Sequence, residues 1–239
     1  MQLHIYKDGE ALSEAAAGFV SGCITETLST KDRFTIALSG GSTPKRLHQL
    51  LAHSPFKEQI DWSRMHIFWG DERAVPFEDS RNNAKMAYDT LLDFVPVPPS
   101  QVHVMRTDIP PESSALEYEK ILHLYFDGTP TSFDLVLLGM GDDGHTLSLF
   151  PGTEVIHEES AWTKAFFLKA QDMYRITLTT PIVNRSAHIA FLVEGTTKAV
   201  ALHEVLRGPY NPDKYPSQVI KPVGELDWFL DEAAAAGLK

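Results

Sequence analysis

The amino-acid sequence predicts an α/β fold with three layers, in which helices cover both faces of a mostly parallel central sheet. Short β-rich runs alternate with longer helical patterns along the 239 residues. Several of the short runs are continuously apolar, as is typical of strands buried on both faces of a parallel sheet. Because the alternation continues without a convincing linker or repeat, we expect one domain over residues 1–239.

The patterns predict five strands and five helices. The predicted strands are Leu3–Tyr6, Phe34–Leu38, Met65–Trp69, Leu135–Leu138 and His188–Val193. The predicted helices are Glu10–Leu28, Pro44–Leu51, Asn83–Leu92, Ser114–Phe126 and Thr197–Leu206. Ligands of such sheets bind beyond the carboxyl ends of the strands, so the segments that follow each strand are the candidates for a site.

Composition excludes several classes of protein. The net charge of -11 argues against nucleic acid or an anionic membrane as a partner. Cys23 is the only cysteine, and there is no H-E-x-x-H motif, so we expect no disulfide, no metal site and a cytoplasmic protein. The first residues lack a secretory pattern, and no apolar run approaches the roughly 20 residues that cross a bilayer. We expect a monomer or a weak homo-oligomer.

A glycine-rich segment, Ser39–Pro44, follows the second predicted strand. Gly40 and Gly41 let backbone N–H groups approach an anion, and either Ser42 or Thr43 is expected to cap the helix that begins at Pro44. This arrangement is typical of a phosphate cradle at a helix N-terminus, although a tight strand-to-helix turn has the same pattern.

Two other strand ends carry charged residues. Asp71 and Arg73 follow the third strand and form either a surface ion pair or part of a site, with Arg73 as a forked donor. The downstream segment 80–83 is expected to cap the next helix. Lys198 follows the fifth strand, in the first turn of a helix that Thr196 is expected to cap. The helix dipole disfavours a cation there, unless the cation meets a bound anion.

The segment Gly139–His145, GMGDDGH, satisfies the dinucleotide pattern G-x-G-x-x-G after a strand. Pro151 and Gly152 interrupt the chain within about two turns, so the long helix required by that motif cannot follow. We interpret the segment instead as a turn that presents Asp143 and His145 to the cleft. Histidine accepts protons near neutral pH, and Asp143 is placed to fix its tautomer.

Together the segments resemble the family of glucosamine-6-phosphate isomerases and 6-phosphogluconolactonases, and most closely its lactonases. The matching pieces are LSGGSTP at 38–44, WGDERAVP at 69–76, LGMGDDGHTLSLFPG at 138–152, RITLTTP at 175–181 and FLVEGTTKA at 191–199. The C-terminal segment 215–231 also matches. The resemblance implies a modified Rossmann-like fold, no cofactor, and hydrolysis of 6-phospho-D-glucono-1,5-lactone in the pentose phosphate pathway.

The resemblance also implies roles for individual residues. His145 becomes the general base, with Asp143 beside it, while Gly40, Gly41, Ser42, Thr43 and Lys198 hold the phosphate of the sugar lactone. Arg73 and Arg175 bind the phosphate or the developing oxyanion, and Asp71 belongs to the same site. The lead Lys169–Tyr174 lacks the prolines of many relatives, which makes Arg175 the weakest of these assignments.

Two rival functions remain open at this point. A glucosamine-6-phosphate deaminase uses the same phosphate loop, but an acidic residue usually follows its histidine, where this chain has Ser148–Pro151. A non-catalytic sugar-phosphate sensor is the second rival. The chain has no helix-turn-helix extension or basic segment that would receive its signal.

Overall fold

The computed structural model describes residues 1–238, which form nine strands and seven helices. The strands are β1 (Gln2–Tyr6), β2 (Phe34–Leu38), β3 (Met65–Trp69), β4 (Asp71–Arg73), β5 (Leu135–Gly139), β6 (Thr163–Leu168), β7 (Met173–Leu178), β8 (His188–Val193) and β9 (Glu225–Asp231). The helices are α1 (Gly9–Leu28), α2 (Ser42–Leu51), α3 (Phe56–Gln59), α4 (Asn83–Thr90), α5 (Pro111–Phe126), α6 (Thr180–Val183) and α7 (Ala199–Arg207).

The central sheet has six strands in the order β1-β9-β8-β5-β2-β3, and all its neighbours pair in parallel. The predicted fold class is therefore confirmed, and all five predicted strands belong to this sheet. The sixth strand, β9, was not predicted. Its apolar run is interrupted by the buried Asp227 and ends in Asp231, which weakens the pattern of a strand buried on both faces.

Three layers arise because alternate residues of each strand point to opposite faces of the sheet. In β5, Leu135 and Leu137 pack into the core that α1, α2 and α4 cover. Val136 and Leu138 pack into the opposite core, which contains Tyr118 of α5 and residues of α7. Both cores consist of fully buried apolar side chains, so burial on the two faces fixes the sheet between the helical layers.

A second, antiparallel sheet has the strand order β4-β7-β6 and was not predicted. It begins directly after β3, at Gly70. The N–H of Gly70 donates to Leu38 O of β2, and its carbonyl accepts from the N–H of Leu178 in β7. Gly70 thus connects the two sheets at the carboxyl ends of the parallel strands, and the small sheet carries Arg73 and Arg175 to that edge.

Two predicted helix starts were wrong. Helix α2 begins at Ser42, after Gly41, and no side chain caps it, so neither Ser42 nor Thr43 is its cap. Likewise Thr196 caps nothing. Residues 196–198 form a 3₁₀ turn, and α7 begins only at Ala199. Glycines with positive φ, Gly41 at 112° and Gly195 at 101°, make both turns, and no side chain of the described residues caps the N–H groups that follow them.

The predicted cap before α4 is confirmed, since the Asn82 side chain accepts from the N–H of Lys85. Within residues 1–238 no helix is both long and apolar enough to cross a bilayer.

Candidate active site

The carboxyl ends of the parallel strands surround a cleft of about 210 Å³. Its walls come from both sheets. The predicted site residues that line it are Gly40, Gly41, Asp71, Arg73, His145, Arg175 and Lys198. The structure therefore brings together residues from five separate segments of the chain, as the strand-end argument predicted.

Ser42 and Thr43 lie beside this cleft. They line a smaller adjoining pocket of about 130 Å³, which shares Gly40, Gly41 and Lys198 with the main cleft. The hydroxyl of Thr43 donates to Glu194 Oε2 at 3.1 Å, and Arg46 pairs with the same oxygen at 2.9 Å. The Thr43 side chain is thus already bonded, so α2 offers an anion mainly its backbone N–H groups.

His145 is held by its own turn. Its Nδ1 lies 2.6 Å from Asp143 Oδ1, and the same oxygen accepts from the His145 N–H at 3.1 Å. The turn is closed by hydrogen bonds from Gly141 N–H to His145 O and from Gly144 N–H to Gly141 O. Because Nδ1 donates to the carboxylate, Nε2 carries the lone pair that can take a proton.

Two contacts fix the plane of the imidazole. A Cβ atom at Gly141 would lie 2.0 Å from His145 Nδ1, so only glycine lets the ring rest against the backbone there. The other neighbour is Phe150, whose ring stacks on the imidazole with centroids 4.1 Å apart. Asp143 lines neither pocket and reaches the cleft only through His145. Burial disfavours its charge, but its bonds to His145 outweigh burial and hold the pKa of Asp143 below its ordinary value.

Asp71 and Arg175 form a buried ion pair in the floor of the cleft. Arg175 Nη2 lies 2.6 Å from Asp71 Oδ2, and both residues are almost completely buried. Ser148 joins the pair, since its hydroxyl donates to Asp71 Oδ2 at 2.6 Å and accepts from Arg175 Nε at 2.9 Å. Burial raises the pKa of Asp71, but the charges of Arg175 and Arg73 and these hydrogen bonds bring it below its ordinary value. The Asp71 carboxylate therefore orients Arg175, the assignment that was weakest from the sequence.

In the described part of the chain, only some of the hydrogen-bond donors of the Arg73 guanidinium have a partner. One of its Nη atoms donates to Arg81 O at 2.8 Å, whereas its buried Nε has no hydrogen-bond partner among residues 1–238. A buried guanidinium N–H without a partner is costly unless a ligand accepts from it. Arg73 is accordingly available to a bound anion or a developing negative charge.

Glu72, between the two cleft residues of β4, was not singled out from the sequence. Its carboxylate accepts the N–H groups of Arg73, Asn83 and Ala84 at 2.7 to 2.8 Å. It thereby ties β4 to the first turn of α4. Burial is the main cause that raises the pKa of Glu72 to about 7.

Sequence reasoning also missed the roles of Ser148 and Asp142. Ser148 stands between the apolar Leu147 and Leu149, and a hydroxyl in such a buried run needs a partner, which was the available signal. Asp142 pairs with Lys198, with Oδ1 2.5 Å from Nζ. That pair joins segments 56 positions apart, and nothing local in the sequence indicates it.

Within residues 1–238 no group of three or more His, Cys, Asp or Glu side chains is arranged to hold a metal ion.

The chain matches a family model described as "Glucosamine-6-phosphate isomerases/6-phosphogluconolactonase" over residues 7–228. A 6-phosphogluconolactonase of Synechocystis sp. is 38% identical over 243 residues, which cover 100% of this chain and 98% of the relative. The solved structure of a 6-phosphogluconolactonase from Thermotoga maritima has a TM-score of 0.84 and 26% identity, covering 96% of this chain and 99% of that one.

A solved monomeric glucosamine-6-phosphate deaminase also shares the fold, with a TM-score of 0.85, 21% identity, and coverage of 99% of this chain and 100% of that one. The fold alone therefore does not separate the two activities. The match of the family model and the full-length relative both cover nearly every residue that builds the cleft. The chain belongs to the glucosamine-6-phosphate isomerase/6-phosphogluconolactonase family.

Proposed function

We propose that this chain is a 6-phosphogluconolactonase, which hydrolyses 6-phospho-D-glucono-1,5-lactone to 6-phosphogluconate in the pentose phosphate pathway. The observation that carries the proposal is the His145–Asp143 pair at the edge of a cleft lined by Arg73, Arg175 and Lys198. A base that faces a cationic cleft suits the attack of water on the ester of a substrate that also carries a phosphate. The full-length similarity to a lactonase supports the same activity.

In the first step, His145 Nε2 takes a proton from a water molecule as the water oxygen attacks the lactone carbonyl carbon. Asp143 stabilises the imidazolium that forms. The carbonyl oxygen becomes an oxyanion, and Arg73 or Arg175 is the donor in reach of the cleft that stabilises it. A fixed positive charge lowers this barrier most because the negative charge develops only in the transition state.

In the second step, the tetrahedral intermediate collapses and the bond from the carbonyl carbon to the ring oxygen breaks. The ring oxygen takes the proton from His145 and becomes a hydroxyl, which returns the base to its neutral form. No covalent nucleophile is required, since a lactone already opens in water and needs only positioning, a base and an oxyanion partner.

The phosphate is assigned to the other end of the cleft. Lys198 lines both pockets, and the N–H groups at the start of α2 point to the same region. Gly40 lets the Asn83 side chain pack against this loop, because a Cβ there would lie 1.9 Å from Asn83 Oδ1. These groups give a local positive potential within a protein of net charge -11.

Phe150 argues against the deaminase alternative. The residue stacked on the His145 ring is this apolar side chain. By the family resemblance, a deaminase carries an acidic residue in the segment after its histidine, and this chain has none at Ser148–Pro151. The cytoplasmic location, the monomeric or weakly oligomeric state and the independence from metals and cofactors stay predictions.

The test is the rate of opening of 6-phosphogluconolactone relative to its spontaneous rate, with glucosamine 6-phosphate assayed in parallel. We expect strong acceleration for the lactone and none for the amino sugar. His145→Ala should collapse kcat, whereas Lys198→Ala should mainly raise KM. A wild-type protein that binds the sugar phosphate without turnover would instead support the sensor alternative.

A further inference from the structure

Two adjacent acidic residues of the His145 turn point in different directions. Asp143 pairs with the proposed base, whereas Asp142 extends to the cation assigned to the phosphate. Asp142 Oδ1 lies 2.5 Å from Lys198 Nζ and also accepts the hydroxyl of Thr197 at 3.0 Å. The turn that holds the base therefore also holds Lys198 in this structure.

In the pair of Asp142 with Lys198, the carboxylate lies on the solvent side and the ammonium group lies on the side of the cleft. The Lys198 side chain is 24% exposed and lines both pockets, whereas the Asp142 side chain is 61% exposed and lines neither. The hydrogen bond with Lys198 outweighs the effect of burial and holds the pKa of Asp142 below its ordinary value. Asp142 is thus an anion already bound to Lys198 from the solvent side.

A second cation beside the smaller pocket is also paired. Arg46 is paired with Glu194, whose Oε2 lies 2.9 Å from its guanidinium. A phosphate that reaches Lys198 meets a carboxylate on the same ammonium group, and like charges at such short range repel. The available positive charge at this end therefore depends on how strongly Asp142 holds Lys198.

We propose that Asp142 is a specificity-determining residue that competes with the phosphate of substrate and product for Lys198, and so weakens the binding of both. The inference rests on the proposed assignment of Lys198 to the phosphate. An enzyme with this competitor binds its product less tightly, which favours release of 6-phosphogluconate after each turnover.

Asp142→Asn tests the proposal, because the amide keeps an oxygen for the Thr197 hydroxyl and removes only the charge. We expect KM for the phosphorylated lactone, and the inhibition constants of inorganic phosphate and 6-phosphogluconate, to fall about fivefold. That factor corresponds to about 1 kcal/mol, the upper value typical of an exposed ion pair. Hydrolysis of unphosphorylated glucono-1,5-lactone should not change, since that substrate has no phosphate to compete with Asp142.

The control for net charge is Glu112→Gln, which removes one exposed carboxylate in the first turn of α5. It should leave the inhibition constant of phosphate unchanged. An equal effect of both substitutions would assign the result to overall charge and overturn the proposal. A changed rate with the unphosphorylated lactone would also overturn it, because Asp142 would then act through the His145 turn.

Lys198→Ala and the double variant Lys198→Ala/Asp142→Asn distinguish failure of the assignment of Lys198 to the phosphate from failure of the competition proposal. If Lys198→Ala leaves phosphate inhibition unchanged, the assignment of Lys198 fails, and the competition proposal fails with it. If Lys198→Ala weakens inhibition but Asp142→Asn does not strengthen it, only the competition proposal fails. In the Lys198→Ala background, Asp142→Asn should have no effect. A persisting fivefold change there would show that Asp142 acts without Lys198.

Discussion

Gly141→Ala displaces the imidazole of His145 without removing any catalytic group. The added Cβ would lie 2.0 Å from His145 Nδ1 and 2.6 Å from Asp143 Oδ1. Carbon atoms in proteins essentially never approach within 3.0 Å of such neighbours, so the ring must retreat by about 1 Å. A misplacement of about 1 Å costs on the order of 100-fold in rate, or about 2.7 kcal/mol of transition-state stabilisation.

The assay is the release of acid on opening of 6-phosphogluconolactone, corrected for the spontaneous reaction. We expect kcat to fall about 100-fold and KM to change much less, because Gly141 does not line the adjoining pocket at the start of α2, to which the phosphate is assigned. Gly22→Ala is the control for the substitution itself, since a Cβ at this exposed position of α1 has no atom within 4 Å.

Full kcat in a folded Gly141→Ala protein would refute the reasoning, because the imidazole would then tolerate displacement. A loss of activity caused by unfolding is distinguished by the melting temperature and by inhibition with inorganic phosphate, which a folded variant retains. In a His145→Ala background the Gly141→Ala change should cost little more, since both act on one group.

Three further predictions concern the buried polar groups. Ser148→Ala removes the hydroxyl that joins Asp71 to Arg175 and should lower the free energy of unfolding by about 1–3 kcal/mol; an unchanged denaturation midpoint would contradict this. Asp71→Asn leaves Arg175 buried without its partner and should cost about 3–5 kcal/mol at neutral pH. Because the pKa of Asp71 is lowered on folding, the difference in unfolding free energy between wild type and Asp71→Asn is fully present above the ordinary pKa of aspartate and should shrink in acid. A difference that does not depend on pH would count against the ion pair. The pKa of Glu72 is instead raised to about 7. The protonated Glu72 therefore contributes to the free energy of unfolding below pH 4.5, its ordinary pKa, and this contribution is lost as pH rises through 7. Between pH 4.5 and 7, the free energy of unfolding of the wild type should fall by about 3 kcal/mol relative to that of Glu72→Gln, as measured by urea denaturation. Parallel pH profiles of the two proteins would disprove this prediction.

The parallel sheet was predictable because its strands are short apolar runs, and the cleft was predictable because parallel strands end at one edge. Five of the six central strands follow from the first rule, and Gly40, His145 and Lys198 line the cleft at the edge that the second rule indicates. Arg175 does not follow from either rule, because it reaches the cleft from β7 of the antiparallel sheet. Strand β4 was not recognisable, since Asp71–Arg73 consists of charged residues. Asp71 and Glu72 are nevertheless buried, through bonds to Arg175, Ser148 and the start of α4 that the local sequence does not indicate.

The predicted side-chain caps of α2 and α7 were wrong for a different reason. Ser42, Thr43 and Thr196 have the chemistry of caps, but glycines with positive φ turn the chain before them. The pair of Asp142 with Lys198 depends on how close the segments that follow β5 and β8 lie in space, and their spacing in the sequence carries no information about that distance. Local propensity thus predicted the five apolar strands and the five longer helices, while the contacts between distant segments required coordinates.

The order of strands has a consequence for the synthesis of the chain on the ribosome. β1 precedes the other eight described strands along the chain, yet the neighbour with which it pairs is β9, more than 220 positions later. β1 therefore cannot pair with its neighbour until β9 has been synthesised. Lys198 and the strand β8 that precedes it also appear late, so binding of sugar phosphate should be among the last properties that a nascent chain acquires.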